Sequence, residues 1–301
     1  MSDSQYKFSV AMSVYKNDKP EQLIVALDSI CTQSLPADEI YLVIDGPIGP
    51  ELAEIVQRYS EKYGNFTVDQ LPENRGLGYA LKVAVEKCKY DLILRMDSDD
   101  ISAPGRFKKQ IDAYKEEPAD VLGGWTLGFT DSIESGAVSS AKRKLTHEEI
   151  IERLPKRSPM SHVTVLLRRE AVLKAGNYMP LHYHEDYYLW ARMIEAGCKF
   201  RNIPEYLVYV RLGRNQALRH GGKKYFKAGC FLRKYMLQHK LSSFGTYVKE
   251  SAIRVVYQLL IPAKLRNYLA MKFKRKYLTR EEADAIIAKN IEDDKKYIGE
   301  V

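Results

Sequence analysis

Three carboxylates crowd four positions at Asp97-Ser98-Asp99-Asp100, directly after the apolar run Leu92-Ile93-Leu94-Arg95-Met96. Acids this close repel one another and are costly to ionise together without a counter-charge. A divalent cation supplies it: carboxylate oxygens suit Mg2+ or Mn2+, which commonly bridge one or two carboxylates to substrate phosphates. The bland alternative is a solvated acidic turn, with Asp100 capping the next helix. A second acidic pair, Glu185-Asp186, follows His184 and opens the helical stretch Tyr187-Tyr188-Leu189-Trp190-Ala191-Arg192-Met193. A helix N-terminus favours the ionised carboxylate, the form a general base needs; a simple capping pair reads the same way. Asp45, at the end of another apolar run and before Gly46-Pro47, is placed either to grip a base or ribose or to make a turn.

Other chemistries lack their residues. Gly76-Leu77-Gly78-Tyr79-Ala80 has no third glycine and does not follow the first strand, so it is no dinucleotide fingerprint. There is no GxxxxGK phosphate loop, no G-x-S-x-G elbow and no cysteine beside a histidine. Cys31, Cys88, Cys198 and Cys230 lie far apart without CxxC spacing and read as reduced, buried thiols of a cytosolic protein.

The elements that must position these acids alternate. Phe8–Val14, Ile40–Ile44, Phe66–Val68 and Asp91–Met96 read as strands. Helical patterns fall between them, the first opened by Asp18 as cap and Pro20 in the first turn. This order predicts an α/β fold: an open, mostly parallel sheet with helices on both faces. Ligands bind such sheets beyond the carboxyl ends of the strands, where Ser13, Tyr15, Asp45 and the 97–100 cluster would meet. Residues 131–144 read as a loop, 146–154, 169–175 and 186–196 as helices, and 163–167 and 206–210 as strands. Everything after about Arg219 reads as helical.

Taken together, the motifs resemble the family-2 glycosyltransferases of GT-A fold. The matching pieces are Phe8 to Asn17, Ala26-Leu27-Asp28-Ser29-Ile30-Cys31-Thr32-Gln33-Ser34, Val43-Ile44-Asp45-Gly46-Pro47, Asn74-Arg75-Gly76-Leu77-Gly78-Tyr79-Ala80-Leu81, Asp97 through Arg106-Phe107, and Glu185-Asp186-Tyr187-Tyr188-Leu189-Trp190. The turn at Asp45 and Val210-Arg211-Leu212-Gly213 look closest to bacterial enzymes of capsule, exopolysaccharide and O-antigen synthesis. Two positions depart from the pattern: Lys82 stands where Asn is usual, and Ile44-Asp45-Gly46-Pro47 replaces Asp-Asp-Gly-Ser.

The resemblance implies a Rossmann-like nucleotide-binding half in a GT-A domain at 1–218; the pattern beyond it reads as a basic, amphipathic helical region at 219–301. The resemblance also implies nucleotide-sugar contacts at Ser13, Tyr15, Asp45, Arg75 and Asp97, and a Mn2+ or Mg2+ ligand at Asp99. Asp186 would be the catalytic base with Glu185 beside it, and His162 would lie near the acceptor or diphosphate. The expected reaction is inverting transfer of a hexose, galactose or glucose favoured, from a UDP-sugar to form a β-linkage. The QxxRW signature of processive synthases is absent. A sugar-nucleotide pyrophosphorylase would want a glycine-rich loop after the first strand, which Ser13-Val14-Tyr15-Lys16-Asn17 lacks. A non-catalytic membrane-associated scaffold of the same fold would not be expected to keep Asp45, Asp97, Asp99 and Asp186 together.

Charge separates the chain into parts. The 301 residues carry a net charge of +8. Residues 1–200 hold 25 basic and 30 acidic side chains, residues 201–280 hold 19 and 2, and the last 21 hold 3 and 7. Within 219–280, Lys223, Lys224, Lys227, Arg233, Lys234, Arg254, Lys264, Arg266, Lys272, Lys274, Arg275 and Lys276 interleave with apolar and aromatic residues. That pattern fits helices lying on an anionic bilayer or packing helices with a solvated basic face. Nucleic acid is not expected as a partner, because the N-terminal part shows no nucleic-acid motif. No uncharged apolar run of about 18 residues exists, and Met1–Gln5 has no basic start or apolar stretch. The expected location is therefore cytoplasmic, peripheral on the inner face of the membrane, beside a lipid-diphosphate-linked acceptor.

Overall fold

The computed structural model describes residues 6–130, 132–134, 136, 138–181, 183–213, 222–262, 265 and 276–298. Its first part alternates β1 (Phe8–Val14), α1 (Pro20–Cys31), β2 (Glu39–Ile44), α2 (Pro50–Tyr63), β3 (Phe66–Gln70), α3 (Leu77–Lys87) and β4 (Leu92–Met96). The four strands pair in parallel in the order β3-β2-β1-β4. Side chains alternate between the two faces. Phe8, Val10, Met12 and Val14 join a core with α1 and α2, while Ala11, Tyr41 and Val43 join another with α3. Both faces of β1, β2 and β4 are covered, which is why these three are largely apolar, whereas the edge strand β3 is mostly exposed.

Beyond β4 come β5 (Ile101–Ser102), α4 (Arg106–Glu116), β6 (Val121–Phe129), β7 (Val138–Ala141), α5 (His147–Arg153), β8 (Leu166–Arg168), α6 (Arg169–Lys174), α7 (Glu185–Glu195) and β9 (Phe200–Arg211). β8 lies antiparallel between β4 and β6, and β9 runs parallel to β6. The result is a parallel nucleotide-type half continued by a mixed half, the GT-A arrangement.

Several local expectations are corrected. The 131–144 loop contains β7, and β9 extends well beyond 206–210, chiefly toward its start. The strand expected at 163–167 begins as a 3-10 turn, His162–Thr164. Asp18 and Asp100 do not cap helices, because Lys19 and Gly105 occupy those positions. Both acids have partners from distant elements instead. Of the four free cysteines, Cys88 and Cys198 are buried and Cys31 and Cys230 are half-buried.

The C-terminal region comprises α8 (Lys223–Gln238), α9 (Phe244–Val255) running into a π-helical turn (Val256–Leu260), β10 (Lys276–Tyr277) and α10 (Arg280–Ile298). It is not all helical, because β10 pairs with β7. Arg219, Lys264, Arg266, Tyr268, Leu269, Met271, Lys272, Lys274 and Arg275 of the expected basic segment lie outside the described residues.

Two of these helices are docked. α8 inserts Leu232 and Met236 into the core under α7, and Tyr235 and Phe231 pack edge-on to Tyr188. α10 buries Ala283 against Leu127 and Phe129. It also sends Asp293 and Asn290 to the buried Lys109 amine at 2.8 and 3.0 Å. α9 buries none of its residues. Phe244 is 70% exposed, and Val248, Ile253 and Val256 are about half exposed, at 48%, 49% and 50%. Among the described residues no helix is long and apolar enough to cross a membrane.

Candidate active site

Asp97, Asp99 and Asp100 stand just past β4, with one carboxylate oxygen of each within 4.8 Å of the others. Asp99 is exposed, Asp97 half-buried and Asp100 buried. Burial and then Asp97 push the Asp99 carboxyl up, and burial, Asp97 and Asp99 hold Asp100 well above the usual range. The Arg211 N–H donates to Asp100 at 2.8 Å, tying the cluster to β9. Asp18 belongs to the same group. It accepts from Ser98 Oγ at 2.7 Å and from the Tyr15 N–H at 3.1 Å, and burial lifts it to about 6. A set of hard oxygens that raise one another's proton affinity fits a divalent cation.

The principal counter-charge is Arg95, the penultimate residue of β4. Its guanidinium is buried and grips Asp97 with two hydrogen bonds, one of 2.5 Å. Burial works against its charge, and Asp97, Tyr178 and Asp100 hold it protonated. Sequence reasoning passed over Arg95, although it was visible as the one charge inside an apolar strand, a position that demands a partner. Arg106, of the Pro104-Gly105-Arg106-Phe107 motif, is also buried. It donates to the carbonyls of Arg95 at 2.8 Å and Val163 at 3.0 Å, joining the end of β4 to the His162 turn.

His162 shares a 2.8 Å hydrogen bond between Nε2 and Tyr178 Oη, and packs edge-on to Trp190. Burial and then Arg95 hold it well below the usual histidine range. That favours the neutral imidazole, which can donate one hydrogen bond.

Glu185 and Asp186 form the first turn of α7 behind His184. The expected helix-end stabilisation of the ionised form is outweighed. Burial raises Asp186, with the Tyr187 N–H and Arg95 opposing, and burial followed by Asp186 raises Glu185 to about 7. The pair approaches α3 closely: a Cβ on Gly78 would stand 3.2 Å from Glu185 Cβ. Asp97 also perturbs Glu185, and Arg95 acts on Asp99, Asp100, Glu185 and Asp186. The two acidic motifs, 85 and more residues apart in sequence, thus form one electrostatic unit around Arg95.

The loops beyond β1 and β2 flank it. Ser13 is half-buried near the end of β1 and Tyr15 is exposed just past it. Asp45 is 3% exposed and accepts from Asn74 Nδ2 at 2.9 Å and from the N–H groups of Arg75 and Gly76, both at 2.8 Å. Three of its roughly four lone-pair sites are used. Asp45 is thus a turn-builder, and one site remains. Gly46 is required beside it: φ is +83°, and a Cβ would come within 2.4 Å of Asn74 N. The loop presents Arg75 with its guanidinium 3.6 Å from the Tyr79 ring centroid.

A parallel half-sheet with acids at its carboxyl edge, facing a helix-borne acid pair, defines a GT-A transferase. Residues 9–176 match Glycosyl transferase family 2, and the chain belongs to that family. It is 34% identical over 268 residues to the amylovoran biosynthesis glycosyltransferase AmsE of Erwinia amylovora, covering 89% of this chain and 99% of that one. It is 30% identical over 279 residues to the UDP-Gal:alpha-D-GlcNAc-diphosphoundecaprenol beta-1,3-galactosyltransferase of Escherichia coli, covering 92% and 100%. In fold it resembles S. aureus TarS 1–349 in complex with UDP-GlcNAc, with a TM-score of 0.63 at 18% identity over 97% of this chain and 81% of that one. It spans 46% of the longer TarS chain.

Proposed function

We propose that the protein transfers a hexose, galactose or glucose favoured, from a UDP-sugar to a sugar carried on a lipid diphosphate, in the synthesis of a bacterial surface polysaccharide. The observation that carries this reading is the placement of Asp97, Asp99 and Asp100 in one electrostatic unit with Glu185 and Asp186. The names of the two relatives support the pathway and the acceptor class.

Asp99, the exposed acid, and Asp97 would hold Mn2+ or Mg2+, and such a cation supplies counter-charge to the departing diphosphate. Asp45 offers its free lone pair to an imide N–H of uracil, with Ser13, Tyr15 and Arg75 around the base. Asp97 faces the ribose or diphosphate. Asp186 accepts the proton of the acceptor hydroxyl as that oxygen attacks the anomeric carbon from the face opposite the leaving group. One displacement inverts configuration, so an α-linked donor yields a β-linkage. Its raised proton affinity suits Asp186 to this step, since a base is most effective with a pKa near the working pH. His162, being neutral, serves as a hydrogen-bond donor near the acceptor.

We also read 1–218 as the catalytic unit and 219–301 as a region that holds it against the anionic inner face of the membrane. Exposed Phe244, Val248, Ile253 and Val256 on and beside α9, with Lys249 nearby, support that reading. Purified protein incubated with UDP-galactose or UDP-glucose and Mn2+ should release UDP. Asp99→Ala should lower that rate roughly a hundredfold and remove the Mn2+ dependence of UDP binding. Metal-independent turnover at the wild-type rate in Asp99→Ala would sink the assignment.

A further inference from the structure

A group of arginines gathers near Asp186, which Arg143 perturbs together with Arg95 of β4. Arg153 ends α5, and the Arg157 N–H donates to the Arg153 carbonyl at 3.2 Å, so the two lie one helical turn apart on the same side. The same turn anchors two other elements. Tyr187 of α7 donates its hydroxyl to the Leu154 carbonyl, and Arg254 at the end of α9 reaches the Lys156 carbonyl at 3.5 Å. Arg143 comes in from the end of β7, its carbonyl held by Trp125 Nε1 at 3.1 Å.

These arginines act on one another. Arg143 is pushed down to about 10 by burial, then by Arg153 and Arg157, with Asp186 opposing. Arg153 is lowered by burial and Arg157, and Arg233, buried behind them on α8, by burial and Arg254. Among the described residues none of the five has a carboxylate at salt-bridge distance. The Nε–H groups of Arg143, Arg153 and Arg233 are buried without a hydrogen-bond partner. Asp186 acts on Arg143 directly, and Asp186 and Glu250 both act on Tyr187.

A cluster of like charges with orphaned donors is costly unless an anion joins it. Guanidinium groups in a fork geometry suit phosphate oxygens. We infer that Arg143, Arg153, Arg157 and Arg254 form a site for the diphosphate of the acceptor, placed so that the sugar it bears presents a hydroxyl to Asp186. The inference rests on Asp186 being the transferase base, as proposed above. The donor's diphosphate is the other source of the same chemistry. The arginines that chiefly act on Asp99 and Asp100 are Arg95 and Arg211, not these four. The donor diphosphate belongs with those acids and their cation.

The test uses the full chain with saturating UDP and Mn2+, titrated calorimetrically with farnesyl diphosphate and, separately, farnesol. The wild type should bind farnesyl diphosphate without losing UDP, and should bind farnesol far more weakly. Arg153→Gln/Arg157→Gln should weaken farnesyl diphosphate by about tenfold or more and leave UDP affinity unchanged. Arg153→Lys/Arg157→Lys should retain most of the binding. Because the Gln pair relieves repulsion, it should melt no lower than the wild type, which separates lost binding from lost folding. Equal affinity in the Gln variant, displacement of farnesyl diphosphate by UDP, or equal binding of farnesol would each overturn the site while leaving the transferase reading intact. A wild type that binds no UDP would instead remove the reading on which the site rests.

Discussion

Around Asp186 the molecule shows two flanks of opposite character. Past β4, Asp18, Asp97, Asp99 and Asp100 crowd together, countered by Arg95 and, at Asp99, by Arg211. Toward α5 and α9, Arg143, Arg153, Arg157 and Arg254 converge with no carboxylate at salt-bridge distance among the described residues. Each flank repels itself in the free protein. On the proposals above, the carboxylate flank would be relieved by a cation that brings an anion with it, and the arginine flank by an anion alone. This difference would let the protein tell two diphosphates apart, with Asp186, the proposed base, acted on by arginines of both flanks.

The largest expected effect breaks the boundary itself. Asp186→Asn should reduce transfer on the order of 10^3-fold while UDP affinity stays unchanged. Near-normal turnover in that variant would leave the two flanks without a shared chemical step.

Removing the counter-charge of the acidic flank comes next. Arg95→Met should lower stability by roughly 3 kcal/mol in urea unfolding, because Asp97 and Asp100 are left without their cation. Mn2+ with UDP should restore part of the loss. A variant as stable as the wild type would show that Arg95 does not hold this flank together.

Glu185 sharpens the comparison through pH. Its carboxyl is raised from 4.5 to about 7, by burial and then Asp186. The folded protein therefore keeps a proton that the unfolded chain has lost. The stability cost is absent below the unfolded value, grows as pH rises from 4.5 toward 7 and is complete above it. Glu185→Gln should abolish this loss, on the order of 2 kcal/mol, seen as a flatter melting temperature across that window. An unchanged pH profile would mean that Glu185 is not buried beside an ionised Asp186.

The smallest effect lies outside both flanks. Phe244→Ser on α9 should weaken flotation with anionic vesicles by about threefold to tenfold without altering UDP binding. Flotation unchanged by this substitution would move the membrane contact elsewhere.

Much of the parallel half and its acidic edge was legible in the sequence. The alternation from Phe8 to Met96 follows from apolar runs of strand length separated by helical spacing, and the structure keeps those boundaries within two residues. The positions of Asp45, Asp97 and Asp99 at strand ends follow from the same pattern. Local reasoning misassigned Asp18 and Asp100, because an acid before a helix looks like a cap whatever stands opposite. It also judged Asp186 by the helix end alone, where burial proved the larger influence.

The sequence by itself determined the order of elements, the parallel half-sheet, the acids at its edge and the membership of a family, because periodicity and turn chemistry are local properties. Tertiary structure alone decided that Arg95 neutralises the acids and that Glu185 stands against Gly78. It also decided that Arg143 acts with Arg153 and Arg157, and that Arg254 of α9 reaches the turn that carries Arg157. Burial and Coulomb energy depend on neighbours brought in from distant parts of the chain, and no spacing along the sequence encodes them.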